Sequence, residues 1–382
     1  RVDLAALQSN FRRIRAFVDG AAGTSQRDPR SDVSAASATP PGIIAVVKAN
    51  AYGHGLVRVA QHYESLGVEW LAVALLEEGV TLRKAGVRCP MLVFGGHHPK
   101  QIPEFLRWDL NLTVGSLGFF QSVEAVAQQQ GTSANIHLKL DSGMGRIGTR
   151  TEGAAALITA AVRSKVVMLR GIYSHLACTD DPEHPFTALQ IERFLDALRI
   201  FDDLGEPPPL RHLANSGGVL HFPESHLDCI RPGILLYGVY PDPASRRTLP
   251  VRPALSLRAE VAFVKQIPVG ESVSYGATWT ASQPTNLATL PIGYGDGYRR
   301  ELSNQASVLI HGQRCPLRGR VCMDQFMVDL GEQSISLGES ATLIGEQGVE
   351  VITVEDLAAL CGAIPYEILT GFNERLPRIY RG

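Results

Sequence analysis

Lys48 ends an apolar run. The stretch AVVKANAYGHG, Ala45 to Gly55, follows IIAVV with a lysine, then a small residue, an asparagine, a tyrosine and two glycines around a histidine. A lysine held on a rigid strand end and partly desolvated has a lowered pKa, and its amine can attack a carbonyl. Two further stretches, ANSGG (214–218) and RPGI (231–234), are small and glycine-bearing, so their backbone N–H groups can approach an anion. Ser216 adds a hydroxyl. Taken alone, Lys48 reads as a strand-end lysine that snorkels to solvent. The amine and the anion cradle become a usable pair only if the fold brings them onto one surface.

The elements that would do so are legible as a rhythm. Short apolar runs alternate with amphipathic helical stretches from Ile43 onward: IIAVV (43–47), WLAVA (70–74), PMLVF (90–94), NLTV (111–114), NIHLKL (135–140), VMLRGIY (167–173), LRHLA (210–214) and LDCI (227–230). Stretches such as EEGVTLRKAG and ALQIERFLDALRIFDDLG have helical spacing between them. Strands alternating with helices imply parallel pairing through crossovers, and eight units in roughly 200 residues are what a closed (β/α)₈ barrel needs. An open doubly wound sheet has similar units, so the count favours the barrel without excluding the other. After about Asp242 the pattern changes to β-like segments between Gly and Pro turns, with one convincing helix, VEDLAALCG. This predicts an α/β chain with two domains, a barrel over 1–244 and a mostly β domain over 245–382. Ahead of the barrel, Leu4, Leu7, Phe11, Ile14 and Val18 mark a helix, and residues 20–42, rich in Ala, Ser, Gly, Pro and Asp, read as a mobile surface insertion.

In such a barrel the active site lies at the C-terminal ends of the strands. Those ends carry Lys48; Lys139, Asp141 and the turn SGMGRIG; Tyr173 and His175; Asn215 and Ser216; and Arg231, Pro232, Gly233 and Ile234. The loops after the seventh and eighth strands commonly bind phosphate in barrels. A Schiff-base lysine on the same rim as a phosphate cradle suggests pyridoxal phosphate, PLP. The segment GMGRIG, Gly143 to Gly148, matches the glycine fingerprint of dinucleotide folds. However, the strand that follows it, in KVVMLRGIYSH, lacks the acidic end such a fold requires, so a nicotinamide enzyme is only a runner-up class.

Composition narrows the field further. A chain of 382 residues with net charge −2 has no electrostatic reason to seek nucleic acid or an anionic membrane, and no apolar run approaches a membrane span. Six scattered cysteines form no CxxC pair and no zinc-type cluster, which fits reduced thiols in a cytoplasmic protein and predicts no metal. The start lacks a signal-peptide pattern and an initiator Met.

Block by block, the chain resembles the alanine racemases. AVVKANAYGHG resembles their PLP-lysine motif, and HLKLDSGMGRIG, GIYSHLA, HLANSGG, IRPGILLYG, SVSYGATW, LPIGYGDGYRR and GRVCMDQFMVDL follow in that family's order. The resemblance implies a PLP-binding barrel followed by a β domain, working as a homodimer in which the β domain completes the partner's active site. It implies that Lys48 carries the cofactor and is one catalytic base, that Tyr275 is the other, and that Arg231 faces the pyridine nitrogen with His175 nearby. Tyr52, Ser216, Gly233 and Ile234 would hold the phosphate, supported by Asn215. Arg146 and the N–H of Met323 would bind the substrate carboxylate, and Lys139 resembles a lysine carbamylated in many members. Asp180, Tyr294 and Arg300 match entrance positions. Glu374 stands where many members have a phosphate-touching tyrosine, which leaves substrate range open. The implied activity is interconversion of L- and D-alanine for peptidoglycan in a bacterial cytoplasm. The alternatives are a broader racemase acting on serine, a PLP carrier without racemase activity, and a decarboxylase on the same architecture. Arg231 at the ring argues against the last, because loss of CO₂ is better served by a protonated ring.

Overall fold

The computed structural model describes residues 1–24, 40–245 and 247–382. Most of the 20–42 segment lies outside the described residues. The chain divides into two compact units, one of Gln8–Ala51 with Gly55–Val251, the other of Arg1–Leu7, Tyr52–His54 and Arg252–Gly382.

The first unit is a closed parallel barrel. Its strands are β1 (Gly42–Val46), β2 (Trp70–Val73), β3 (Met91–Val93), β4 (Asn111–Val114), β5 (Ala134–Asp141), β6 (Val167–Tyr173), β7 (Leu210–His212) and β8 (Cys229–Ile230). Each pairs with its neighbours in sequence, and β8 returns to β1, closing the ring. All eight apolar runs of the sequence are strands. They are nearly continuous in hydrophobic residues because barrel strands are buried on both faces. β5 departs from that rule in an informative way. Asn135, His137, Lys139 and Asp141 alternate with Ile136, Leu138 and Leu140, so one face of a buried strand is polar. The register carries that polar row across the sheet: Lys139 pairs with Tyr173, Tyr173 with His212, and His212 with Cys229, two residues before Arg231.

The GMGRIG segment opens no helix. It turns back so that Thr149–Arg150 pairs in parallel with Leu140–Asp141, and Asp141 accepts the N–H groups of Gly143 and Gly145. Its glycines serve a tight turn, not a pyrophosphate.

In the second unit, eight strands form one antiparallel sheet: β9 (Leu257–Glu260), β10 (Phe263–Ile267), β11 (Thr285–Leu290), β12 (Ser307–Ile310), β13 (Gln313–Arg318), β14 (Phe326–Gly331), β15 (Ser340–Gln347) and β16 (Glu350–Ile352). The order is β9-β15-β12-β13-β14-β11-β10, with β16 on β15. The predicted helix is present as Val354–Cys361, capped by Thr353, whose side chain accepts from Asp356 N–H. A second helix, Pro365–Gly371, is not anticipated by the sequence reading; seven residues are too few for a period to show. Ile267, Val273, Ala281 and Leu287 form a buried cluster. Val273 thereby anchors the turn that presents Tyr275. Among the described residues no helix is long and apolar enough to cross a membrane.

Candidate active site

Lys48 sits where β1 ends, and the backbone after it is left-handed. Ala49, Asn50, Ala51 and Tyr52 all have φ between 52° and 54°. For L-residues that conformation costs about 1–2 kcal/mol per residue, so the turn must be held from outside. Asn50 Oδ1 accepts Leu56 N–H at 2.7 Å, Asn50 O accepts Gly55 N–H at 2.9 Å, and Glu78 Oε1 accepts Ala49 N–H at 2.6 Å. Burial lowers the proton affinity of the Lys48 amine, Arg146 lowers it further, and Glu78 opposes both.

Arg231 is buried in the barrel with no carboxylate partner among the described residues. Its Nη2 donates to Ser174 O (2.7 Å) and Leu213 O (2.9 Å), and Nη1 donates to His212 Nδ1 (3.0 Å). Nε–H and the second Nη1 hydrogen take no part in these bonds and are the donors left for a ligand. Burial lowers the guanidinium pKa to about 10, so it remains a cation at neutral pH. Because arginine can only donate, His212 must accept at Nδ1 and carry its proton on Nε2, which faces His137 Nδ1 at 2.9 Å. His137 in turn carries its proton on Nε2. Burial, then Arg231, holds the His212 pKa far down, and burial with Arg231 brings His137 to about 3, so both rings stay neutral. Gly171 makes this possible: a Cβ there would lie 2.3 Å from His137 Nδ1. Tyr173 stacks on His212 (4.7 Å, 11°) under the Arg231 guanidinium and the Lys139 amine and donates to Thr113 Oγ1.

Lys139 is buried beside that ring and donates to Leu140 O rather than pairing with Asp141. Burial, then Arg231, brings its amine to about 7. Arg146 lies exposed in the loop after β5. His175 is half-buried, its pKa pushed well down by burial and by Arg231, Arg146, Lys139 and Lys48 in turn. The hydrogen-bonded histidine of Arg231 is His212, however, not His175, whose carbonyl accepts from Gln190. Asn215 caps the short helix Ser216–His221, accepting Gly218 N–H at 2.9 Å and the Thr179 hydroxyl at 3.0 Å. Ser216 Oγ accepts Gly233 N–H at 2.9 Å, so the two predicted anion loops are tied to each other, and the Ser216 hydroxyl hydrogen stays available. Gly233 precedes the short turn that starts at Ile234. Asp180 reaches solvent as a residue, while partial desolvation of its carboxylate, then the charge of Asp242, raises its pKa.

In the second unit, Tyr275 is 68% exposed and lines a cavity of about 580 Å³ together with Ser274, Cys322, Met323, Asp324, Gln325 and Met327. The Ser274 hydroxyl donates to Arg320 O, fixing the turn. The N–H of Tyr294 donates to Cys322 O and that of Gly295 to Met323 O, which places Tyr294 next to Met323. Tyr52 is buried with its ring 6.0 Å from Tyr366, and burial raises its phenol pKa. Arg300 and Glu374 are exposed. Next to Glu374, Arg375 bonds Asp324 at 2.6 Å and approaches Asp296 at 3.3 Å.

The barrel rim therefore offers a lysine of lowered basicity, a buried cation with N–H groups to spare, and a hydroxyl beside a helix start whose first N–H groups have no acceptor within the helix. That donor set fits a carbonyl-bearing aromatic phosphate such as PLP. Residues 31–241 match the family model for the alanine racemase N-terminal domain and residues 254–380 that for the alanine racemase C-terminal domain. The chain is 43% identical over 345 residues to an alanine racemase of Symbiobacterium thermophilum, covering 90% of this chain and 91% of the relative. It is 42% identical over 343 residues to one of Desulforamulus reducens, covering 89% and 92%. Among solved structures, alanine racemase from D-cycloserine-producing Streptomyces lavendulae aligns with TM-score 0.90 at 37% identity over 100% of this chain and 96% of that one. The Bacillus anthracis alanine racemase solved with bound L-Ala-P aligns with TM-score 0.89 at 36% identity over 100% and 94%. With both units matched and relatives aligned nearly end to end, this chain belongs to the alanine racemase family of PLP-dependent isomerases.

Proposed function

We propose that the protein interconverts L-alanine and D-alanine with two bases, Lys48 and Tyr275, and that the tyrosine reaches the site from the partner subunit of a homodimer. The observation that carries this reading is Lys48 on a barrel rim shared with Arg231 and the Ser216–Gly233 tie, in a chain whose β unit leaves Tyr275 exposed. Bound PLP supplies an electron-withdrawing ring that makes the substrate's α-proton acidic. Lys48 Nζ takes or returns that proton on one face of Cα, and Tyr275 Oη does so on the other; one fixed base serves a single face well. Arg231 keeps its charge and, with PLP bound, would face the pyridine nitrogen and hold it unprotonated, which would limit side reactions such as transamination.

Tyr52, the Ser216 hydroxyl and the backbone at Ile234 would hold the phosphate, while Gly233, whose N–H is donated to Ser216 Oγ, ties the two loops of that cradle, with Asn215 supporting the loop and His175 beside the ring. Arg146 and Met323 N–H take the substrate carboxylate. Met323 N–H donates no backbone hydrogen bond among the described residues, which leaves it available. Lys139, neutral in good part near pH 7, can react with CO₂, and the carbamate so formed would orient Arg146. Asp180, Tyr294, Arg300 and Glu374 form the entrance. The two domains divide near residue 245, and the product serves peptidoglycan in a bacterial cytoplasm.

Chiral separation of the products after the purified protein, PLP and L-alanine are incubated together tests the reading. D-alanine forms with the native chain and is absent with Lys48→Ala. A Lys48→Ala variant that racemises as fast as the native chain would overturn it. The same incubation with serine measures substrate range.

A further inference from the structure

We propose that Glu78 is a positioning residue for Lys48, a carboxylate that ties the left-handed turn after the lysine to the end of the neighbouring barrel strand. The inference rests on the reading of Lys48 as the cofactor lysine. Glu78 lies in the first turn of the helix Leu76–Lys84, directly after β2. One oxygen, Oε2, does an ordinary job: it reaches back to the N–H groups of Leu75 (3.1 Å) and Ala74 (2.8 Å), as a capping box does. The other, Oε1, is not needed by that helix. It accepts Ala49 N–H at 2.6 Å, across to the residue that follows Lys48.

The carboxylate thus bridges the C-terminal ends of β1 and β2 with three charge-assisted hydrogen bonds, each of them to backbone. The location matters because the turn it grips is costly. Ala49 is the first of four consecutive non-glycine residues at positive φ, and a strained segment keeps one geometry only where its surroundings over-determine it. Without the tie, the Lys48–Ala49 peptide could turn and the left-handed segment relax, and the backbone leaving Lys48 would no longer be held against the rim. The charge has a second consequence. The ionisable groups facing Lys48 are Arg146, His175 and Glu78, and Glu78 is the carboxylate among them. It is the group that holds the lysine's proton affinity up against the others.

Three variants separate these roles, each measured as holoenzyme and as cofactor-free protein. Glu78→Gln keeps the shape, removes the charge and turns an NH₂ group against N–H groups that themselves donate. Glu78→Asp keeps the charge but is too short to span both ends. Glu78→Ala removes everything. In the holoenzyme, kcat for alanine falls about tenfold or more in Glu78→Asp and Glu78→Ala while KM changes little, as expected for a displaced reacting group. In cofactor-free protein, the pH at which Lys48 is half-labelled by an amine-acylating reagent, read by peptide mass spectrometry, moves lower in Glu78→Gln and Glu78→Ala and stays put in Glu78→Asp. Thermal melting checks that the variants are folded. Folded variants with native kcat and an unmoved Lys48 labelling profile would overturn the proposal, as would losses that merely follow the unfolded fraction. Lys48→Ala run alongside separates the two readings. If it stays active, the cofactor-lysine reading fails, while the labelling profile still decides whether Glu78 governs Lys48.

Discussion

A buried guanidinium without a carboxylate has to be satisfied by neutral acceptors, and Arg231 uses three: two carbonyls and one imidazole. The carbonyls are fixed by strand geometry, whereas the imidazole is a side chain and can be removed. Replacing His212 by Phe keeps the stack on Tyr173 and deletes the Nδ1 acceptor, leaving an N–H of a cation unpaired in the barrel. The expected cost is about 1–3 kcal/mol, read as a fall in the urea midpoint with unchanged slope. An unchanged midpoint would mean that the guanidinium finds another acceptor. His212 lies inside the motif HLANSGG, yet its role is invisible there, because its partners lie 19 and 75 residues away and are set by barrel register. Lys48 and Arg231 were legible for the opposite reason: each interrupts an apolar run at the point where a barrel strand must end.

At the scale of elements, the loop after β5 shows how backbone geometry places a binding residue. Gly148 has φ of 121°, and a Cβ there would lie 2.7 Å from Lys139 O. Gly148→Ala must therefore break the pairing of Thr149–Arg150 with Leu140–Asp141 and shift Arg146 two residues upstream. The strain costs about 1–3 kcal/mol, and because Arg146 is proposed to hold the substrate carboxylate, KM for alanine should rise more than kcat falls. Steady-state kinetics checks this; a variant with native KM would detach the loop from substrate binding. The eight barrel strands were readable because burial on both faces leaves uniform apolar runs. In the second unit β13, β15 and β16 carry weak strand signals: QRCPLR is half exposed and polar, and SATLIGEQ and EVI lack a clean alternation. Glu78 illustrates the other blind spot. It reads as one acid of an exposed EEG helix start, and nothing local reveals that its second oxygen serves a turn 29 residues earlier.

At the scale of the whole molecule, the two-base proposal requires groups from two units, and the proposed dimer decides which chains supply them. If each site takes Lys48 from one chain and Tyr275 from its partner, a mixed dimer of Lys48→Ala and Tyr275→Ala chains has one site lacking both groups and one site lacking neither. If each site takes both from the same chain, every site in the mixed dimer lacks one. Co-refolding equal amounts of the two inactive variants makes half of the dimers mixed, so shared sites restore about one quarter of native specific activity. Unshared sites restore none. The measurement is D-alanine formation by the mixture against each variant refolded alone. Recovery near that fraction would also require that Tyr275, exposed in the single chain, is covered in the dimer, which a fall in its solvent accessibility on association would register.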